Sequence, residues 1–221
     1  MDFDFIRYLV NAGCDINATY SSTDSEANLL CLAVQLKDVE LIRFLSVRLS
    51  QDQLDYRMRP SPNPAYTKEP FWISFTPLML SIVMPYMHSN DAVNPIAFEI
   101  VKTLVDAGAN TQLTENTFDD NLFHLACKYS TDVQLSEYLF NNINLDLNGK
   151  NNEGMTPRDI CRADRNEVFF QQIDIADAKR KGKKVSAIES FTGPSIIAKI
   201  DDKEVELSDQ QRVYISKFFN D

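Results

Sequence analysis

Two histidines, four cysteines and a few paired acids are the residues of this sequence that could do chemistry. His124 and Cys127 stand three apart in NLFHLACKYS, a spacing that sets an imidazole and a thiol on one helix face, as a base and a nucleophile would need. Such a pair also requires a group to orient the imidazole and a loop to hold an oxyanion. Neither is apparent beside it. His88 has no cysteine or acid at metal-ligand spacing. Asp119-Asp120 and Asp201-Asp202 lack the alternating spacing of a calcium loop and read as surface turns. No GxxxxGK[ST] or GxGxxG loop is present to cradle a phosphate, and only six glycines exist to build one. The residues therefore nominate no catalytic, metal or cofactor site, and the chain is expected not to be an enzyme.

Composition narrows the partners. The chain has 221 residues and a net charge of −10, which disfavours nucleic acid or an anionic membrane surface as the main ligand. No apolar run reaches the ~20 residues of a membrane span, and MDFDFIRYLV carries acids where a secretory signal carries bases. Cys14, Cys31, Cys127 and Cys161 are widely spaced, without a CxxC pair. That favours small core residues in a reducing compartment, the cytoplasm first, with the nucleus or a host-cell cytoplasm as alternatives. The basic run Lys179–Lys184 (KRKGKK) reads either as an import signal or acidic-partner contact, or as a solvated linker.

The elements that position these residues are helix pairs. Thr76 is suited to cap a helix that opens at Pro77, with Leu78, Leu80, Ile82 and Val83 on its apolar stripe. Ile100, Val101, Leu104 and Val105 form one face of a second helix, and Gly108 follows where a left-handed residue closes it. The TPL opening at Thr76 and the DAGAN closing at Asp106–Asn110, around two short helices, resemble the ankyrin repeat. Asp4–Ala18 (DFIRYLVNAGCDINA) matches the second half of that unit, a repeat lacking its first helix. Either the chain is cut from something longer, or a partner covers that end. Asn28–Leu45, Asn121–Leu139 and Asn151–Ile173 give three further units, in which LFHLA at Leu122–Ala126 and Thr156-Pro157 match the family most closely. Lys37-Asp38 replaces the usual glycine between helices. The spacings exceed the ~33 residues of an ideal repeat. The excess falls in a proline-rich excursion, Gln51–Phe75, read as extended and polyproline-like, and in Pro85–Pro95.

The resemblance implies an all-α solenoid of stacked helix-turn-helix units with long loop insertions. Residues 1–178 form the repeat domain, a partial first repeat and about five units in all. Residues 179–221 form a tail with a β-hairpin turning at Asp201-Asp202 and a last helix over Asp209–Phe219. The tail either folds onto the last repeat or forms a docking module. The family's histidine at the position of His124 ties neighbouring hairpin loops together.

The resemblance further implies a non-enzymatic adaptor or scaffold that binds a protein partner through its loops and concave helix face. The alternative is the recognition part of a larger enzyme or a host-directed effector. A small-molecule ligand is disfavoured. Contact is expected from Tyr56, Tyr66, Phe71 and Trp72 in or beside the excursion, because aromatic side chains dominate interface anchors. Phe71 and Trp72 serve equally well as cover for the excursion's own core. Phe118 and Asp119, Asn152 and Glu153 lie on loop tips of the same edge, and Lys128 and Tyr129 on solvent-facing helix positions.

Overall fold

The computed structural model describes residues 3–21, 25–60, 74–87, 95–130, 132–182, 185–189, 196–200 and 203–206. It divides into two compact units, Met1–Leu122 and Phe123–Asp221. The described residues are mostly helical, with ten helices and two three-stranded antiparallel sheets. The chain is thus largely rather than wholly α. Among the described residues no helix is long and apolar enough to cross a membrane.

In the first unit two rows of helices form. One contains α1 (Phe3–Asn11), α3 (Val39–Ser46) and α6 (Pro95–Asp106); the other contains α2 (Leu29–Gln35) and α5 (Pro77–Met87). α2 packs on α5, α3 packs on both α1 and α6, and each of α2 and α5 also packs on the helix that follows it in its own pair. α5 is the centre: Leu78, Met79, Leu80, Ile82 and Val83 are all buried, so it is apolar all round rather than on one stripe.

Three of the starts are fixed locally. Asn28 Oδ1 accepts the Cys31 N–H at 2.9 Å, Asp38 Oδ1 accepts that of Leu41 at 3.0 Å, and Thr76 Oγ1 accepts that of Met79 at 3.3 Å. Such caps satisfy N–H groups that have no partner within the helix.

The ends of α1, α2 and α6 follow one pattern. Gly108, at φ +96°, donates to Val105 O at 3.0 Å, and Ala109 donates to Leu104 O at 3.0 Å. Gly13, at φ +91°, repeats this with Val10 and Leu9 after α1. Lys37 takes the same left-handed turn at φ +57° and repeats the two bonds with Val34 and, through Asp38, Ala33. The chain makes the glycine-type closure there without glycine.

Before α2 lies a small sheet, β1 (Thr19–Ser21), β2 (Ser25–Asn28) and β3 (Arg59–Pro60), in that order. Glu26 faces Ser21 on one side and Arg59 on the other. Pro60 sits on an edge strand, where its missing N–H breaks no ladder. The one-turn helix α4 (Gln51–Leu54) precedes β3. Residues 51–60 are therefore folded; the rest of the proline-rich excursion up to 73 lies outside the described residues.

The second unit holds α7 (Leu122–Tyr129), α8 (Val133–Asn142), α9 (Pro157–Ala163) and α10 (Glu167–Arg180). Phe123, Phe140 and Phe169 form its aromatic core, with ring centroids 4.9 and 6.0 Å apart in sequence. Thr156 and Asp159 cap α9 reciprocally around Pro157, and the Thr156 N–H and hydroxyl hold the Asp159 carboxyl below its ordinary value. Asn166 Oδ1 accepts the Phe169 N–H at 3.2 Å, while its Nδ2 donates to Cys127 O at 2.8 Å and Ser130 O at 2.6 Å. One side chain thus starts α10 and satisfies carbonyls at the end of α7. Arg165, before it, repeats the left-handed closure at φ +55°.

α10 extends beyond the expected Ile173 to Arg180. β4 (Val185–Glu189), β5 (Ile196–Ile200) and β6 (Lys203–Glu206) follow as an antiparallel meander. β5 and β6 occupy the expected hairpin, with Ile200 opposite Lys203. The helix expected over Asp209–Phe219 lies outside the described residues.

Candidate protein-interaction surface

The first unit projects one loop built around a buried carboxylate. Glu115 is only 2% exposed. Its Oε2 accepts the Thr117 N–H at 2.7 Å, and its Oε1 accepts those of Phe118 and, at 3.3 Å, Asp120. Its own N–H donates to Asp120 O at 3.0 Å, closing the loop at its base. A carboxylate that accepts several backbone N–H groups is well satisfied away from water.

The loop tip carries Phe118, 38% exposed, and Asp119, at φ +61°. Thr114 Oγ1 donates to Asp119 Oδ1. The base is braced from below. Arg57 donates to Ser74 O at 3.0 Å and to Thr114 O at 2.8 Å, and Ser74 Oγ accepts the Asn116 N–H at 3.1 Å. Ser74 is itself in the left-handed region, at φ +77°. Two non-glycine residues held at positive φ cost about 1–3 kcal/mol each and persist where surrounding contacts over-determine them.

A second loop, in the other unit, has the same design with a different side chain. Asn151 is buried, and its Oδ1 accepts the N–H groups of Glu153 and Met155 at 3.0 Å each. Its N–H donates to Met155 O at 2.9 Å, and Gly154 supplies φ +75°. Asn152 and Glu153 are exposed on this tip. His124, buried at 1% exposure, places Nε2 3.1 Å from Met155 O and so ties α7 to the loop before α9. Lys128 is exposed on α7, its ammonium 5.5 Å from the Tyr129 ring.

The other residues expected at the contact fall differently. Tyr56 is buried, its hydroxyl donating to Glu26 Oε1 at 3.2 Å and its ring under Arg59 at 5.6 Å. The sheet β1–β3 consumes it, so it offers little surface to a partner. Tyr66, Phe71 and Trp72 lie outside the described residues, as does His88. Gln35, near the end of α2, accepts the Tyr20 hydroxyl at 2.8 Å. Asp120, of the first acid pair, is buried in the loop base.

The sequence places Glu115–Asp120 on a loop tip but does not show that Glu115, Arg57 and Ser74 brace it. Glu115 had a local signal, an acid two residues before the first N–H it accepts. Arg57 had none, because its acceptors are 17 and 57 residues away.

The setting of Cys127 works against a nucleophilic role for the His124–Cys127 pair. Burial, followed by the Cys161 thiol beside it, raises the Cys127 pKa well above its usual value, and burial pushes that of Cys31 up to about 12. Neither residue supplies the thiolate that a cysteine nucleophile requires. All four cysteines are free, and among the described residues no group of three or more His, Cys, Asp or Glu is arranged to hold a metal ion. No protein-family model matches this sequence, and no curated protein matches it at a significant level.

Proposed function

We propose that this chain is a non-enzymatic protein-interaction module of the ankyrin-repeat type, binding a protein partner through the loops that project from its helix pairs. The repeat reading is supported by the recurrence of one plan. A capped first helix, a left-handed turn at Lys37 or Arg165 and a second helix capped by Asp38 or Asn166 recur in the α2–α3 and α9–α10 pairs, and an Ala-Gly exit follows α1 and α6. Like helices stack within the first unit, α2 on α5 and α3 on α6.

The observation that carries the function is the Glu115–Asp120 loop. A half-exposed phenyl ring is held on a tip that a buried carboxylate, an arginine fork and two left-handed residues keep in one shape. Pre-organisation of this kind lowers the ordering cost of binding, and an exposed aromatic anchor supplies the contact. The test is site-specific photo-crosslinking. A photoreactive phenylalanine at position 118 should label one partner, and excess wild-type chain should suppress that label while Phe118→Ala does not. The same probe in place of Val47, which is exposed at the end of α3, is the control. Equal labelling from both sites, or equal competition by Phe118→Ala, refutes the reading.

A further inference from the structure

The basic run that ends α10 acquires a setting in the structure that the loop reading leaves unused. Arg180 turns back across the end of α8, donating to Leu145 O at 2.7 Å, Ile143 O at 3.0 Å and Phe140 O at 3.3 Å. The Phe140 and Ile143 carbonyls lie at the negative end of α8, where a cation is stabilising. The guanidinium thereby shapes one wall of a groove of about 310 Å³.

Phe140, Ile143 and Ala176 form the floor, Asn141 stands at the rim, and Lys179 and Arg180 supply the charge. No carboxylate lines the groove. Lys181 is paired with Asp177 at 2.5 Å, whereas Lys179 makes no ion pair among the described residues. In sequence the run continues as KRKGKK, five bases in six positions of a chain whose net charge is −10.

We propose that this groove is a docking site for a short acidic segment of a partner protein, independent of the Phe118 loop. Carboxylates would be taken by Lys179 and the donors of Arg180 not used by the α8 carbonyls. The peptide main chain would be taken by the amide of exposed Asn141, since that of Asn142 already donates to Tyr138 O at 2.9 Å. Charge complementarity selects this occupant. An extended polyanion such as a nucleic acid would reach past the groove into the field of the acidic remainder, while a short acidic stretch meets only the local cations.

The test uses the full chain and a fluorescein-labelled synthetic peptide of alternating glutamate and serine, read by anisotropy. Binding is expected, weakening with added salt. Lys179→Glu should weaken it by at least about tenfold, and Asn141→Trp, which fills the groove from an exposed helix position without adding charge, by a similar factor. Both side chains are exposed, so an unchanged thermal midpoint accompanies each loss. No binding overturns the proposal. Binding that survives Asn141→Trp also overturns it, because diffuse attraction to the basic run then suffices. So does stronger binding to phosphatidylserine vesicles or to single-stranded RNA than to the peptide.

Discussion

Replacing Glu115 tests the construction of the loop without touching its exposed face. The carboxylate accepts three backbone N–H groups, two at short distance and one at 3.3 Å. Glu115→Gln keeps an oxygen at Oε1, for Phe118 and Asp120. It turns Oε2, the acceptor for Thr117, into an NH2 that faces another donor. One hydrogen bond to a charged group is lost and one buried donor is left unsatisfied, about 1–3 kcal/mol. Glu115→Ala removes both acceptor oxygens, and with them all three hydrogen bonds, and should cost about 2–4 kcal/mol, less than three full bonds because the Asp120 contact is long and the opened tip rehydrates. Urea denaturation measures the cost. Amide hydrogen exchange locates it: the Thr117 and Phe118 N–H groups should lose protection in both variants, while those of α5 change only as global stability does. A Glu115→Ala chain within about 0.5 kcal/mol of wild type, with Thr117 and Phe118 exchanging no faster, would mean that the carboxylate does not hold the loop.

Four further outcomes follow from the same structure. Gly108→Ala should destabilise by about 1–2 kcal/mol through its φ of +96°, since a Cβ there meets nothing closer than Gln51 at 4.0 Å. Lys37→Gly, in the equivalent turn at φ +57°, should stabilise by about 0.5–1 kcal/mol after the entropy of glycine is subtracted, both read from thermal midpoints. Asp132 is buried, and its Oδ2 has no hydrogen-bond partner among the described residues. Burial raises its pKa, against the two N–H groups it accepts. The native state then binds this proton more tightly than the unfolded chain. The associated stability is fully present below the unfolded value of 3.8 and is lost as pH rises through the folded one. Asp132→Asn keeps the cap and should be more stable than wild type at pH 7, with a flatter stability profile above pH 4 in pH-resolved denaturation. Finally, native chain treated with a thiol-reactive disulfide should release one equivalent of chromophore, from exposed Cys14. The other three thiols should react only on unfolding, because they are buried.

What was legible in the sequence is what is decided within one turn of chain. Thr76-Pro77 and Thr156-Pro157 announce helix starts because the cap and the first N–H groups are three residues apart. Gly108 announces an end because few residues accept its backbone angle. Lys37 and Arg165 take that angle under the same two closing bonds, where neither residue type advertises it. Strands of two to four residues, as in β1–β3, are too short to show a period, and their formation is what buries Tyr56 and removes it from the contact. The loop around Phe118 was visible as an exposed tip. Its rigidity was not, because Arg57 and Ser74 come from a segment distant in sequence.

The central claim is that Phe118, held by that loop, anchors a protein partner. The most direct measurement is the affinity of the partner captured at position 118 for three chains: wild type, Phe118→Ala and Glu115→Gln. The account predicts a loss of at least about 2 kcal/mol, roughly thirtyfold in Kd, for Phe118→Ala with the fold unchanged, and a smaller loss for Glu115→Gln through faster dissociation. Affinities within twofold of wild type for both would contradict it.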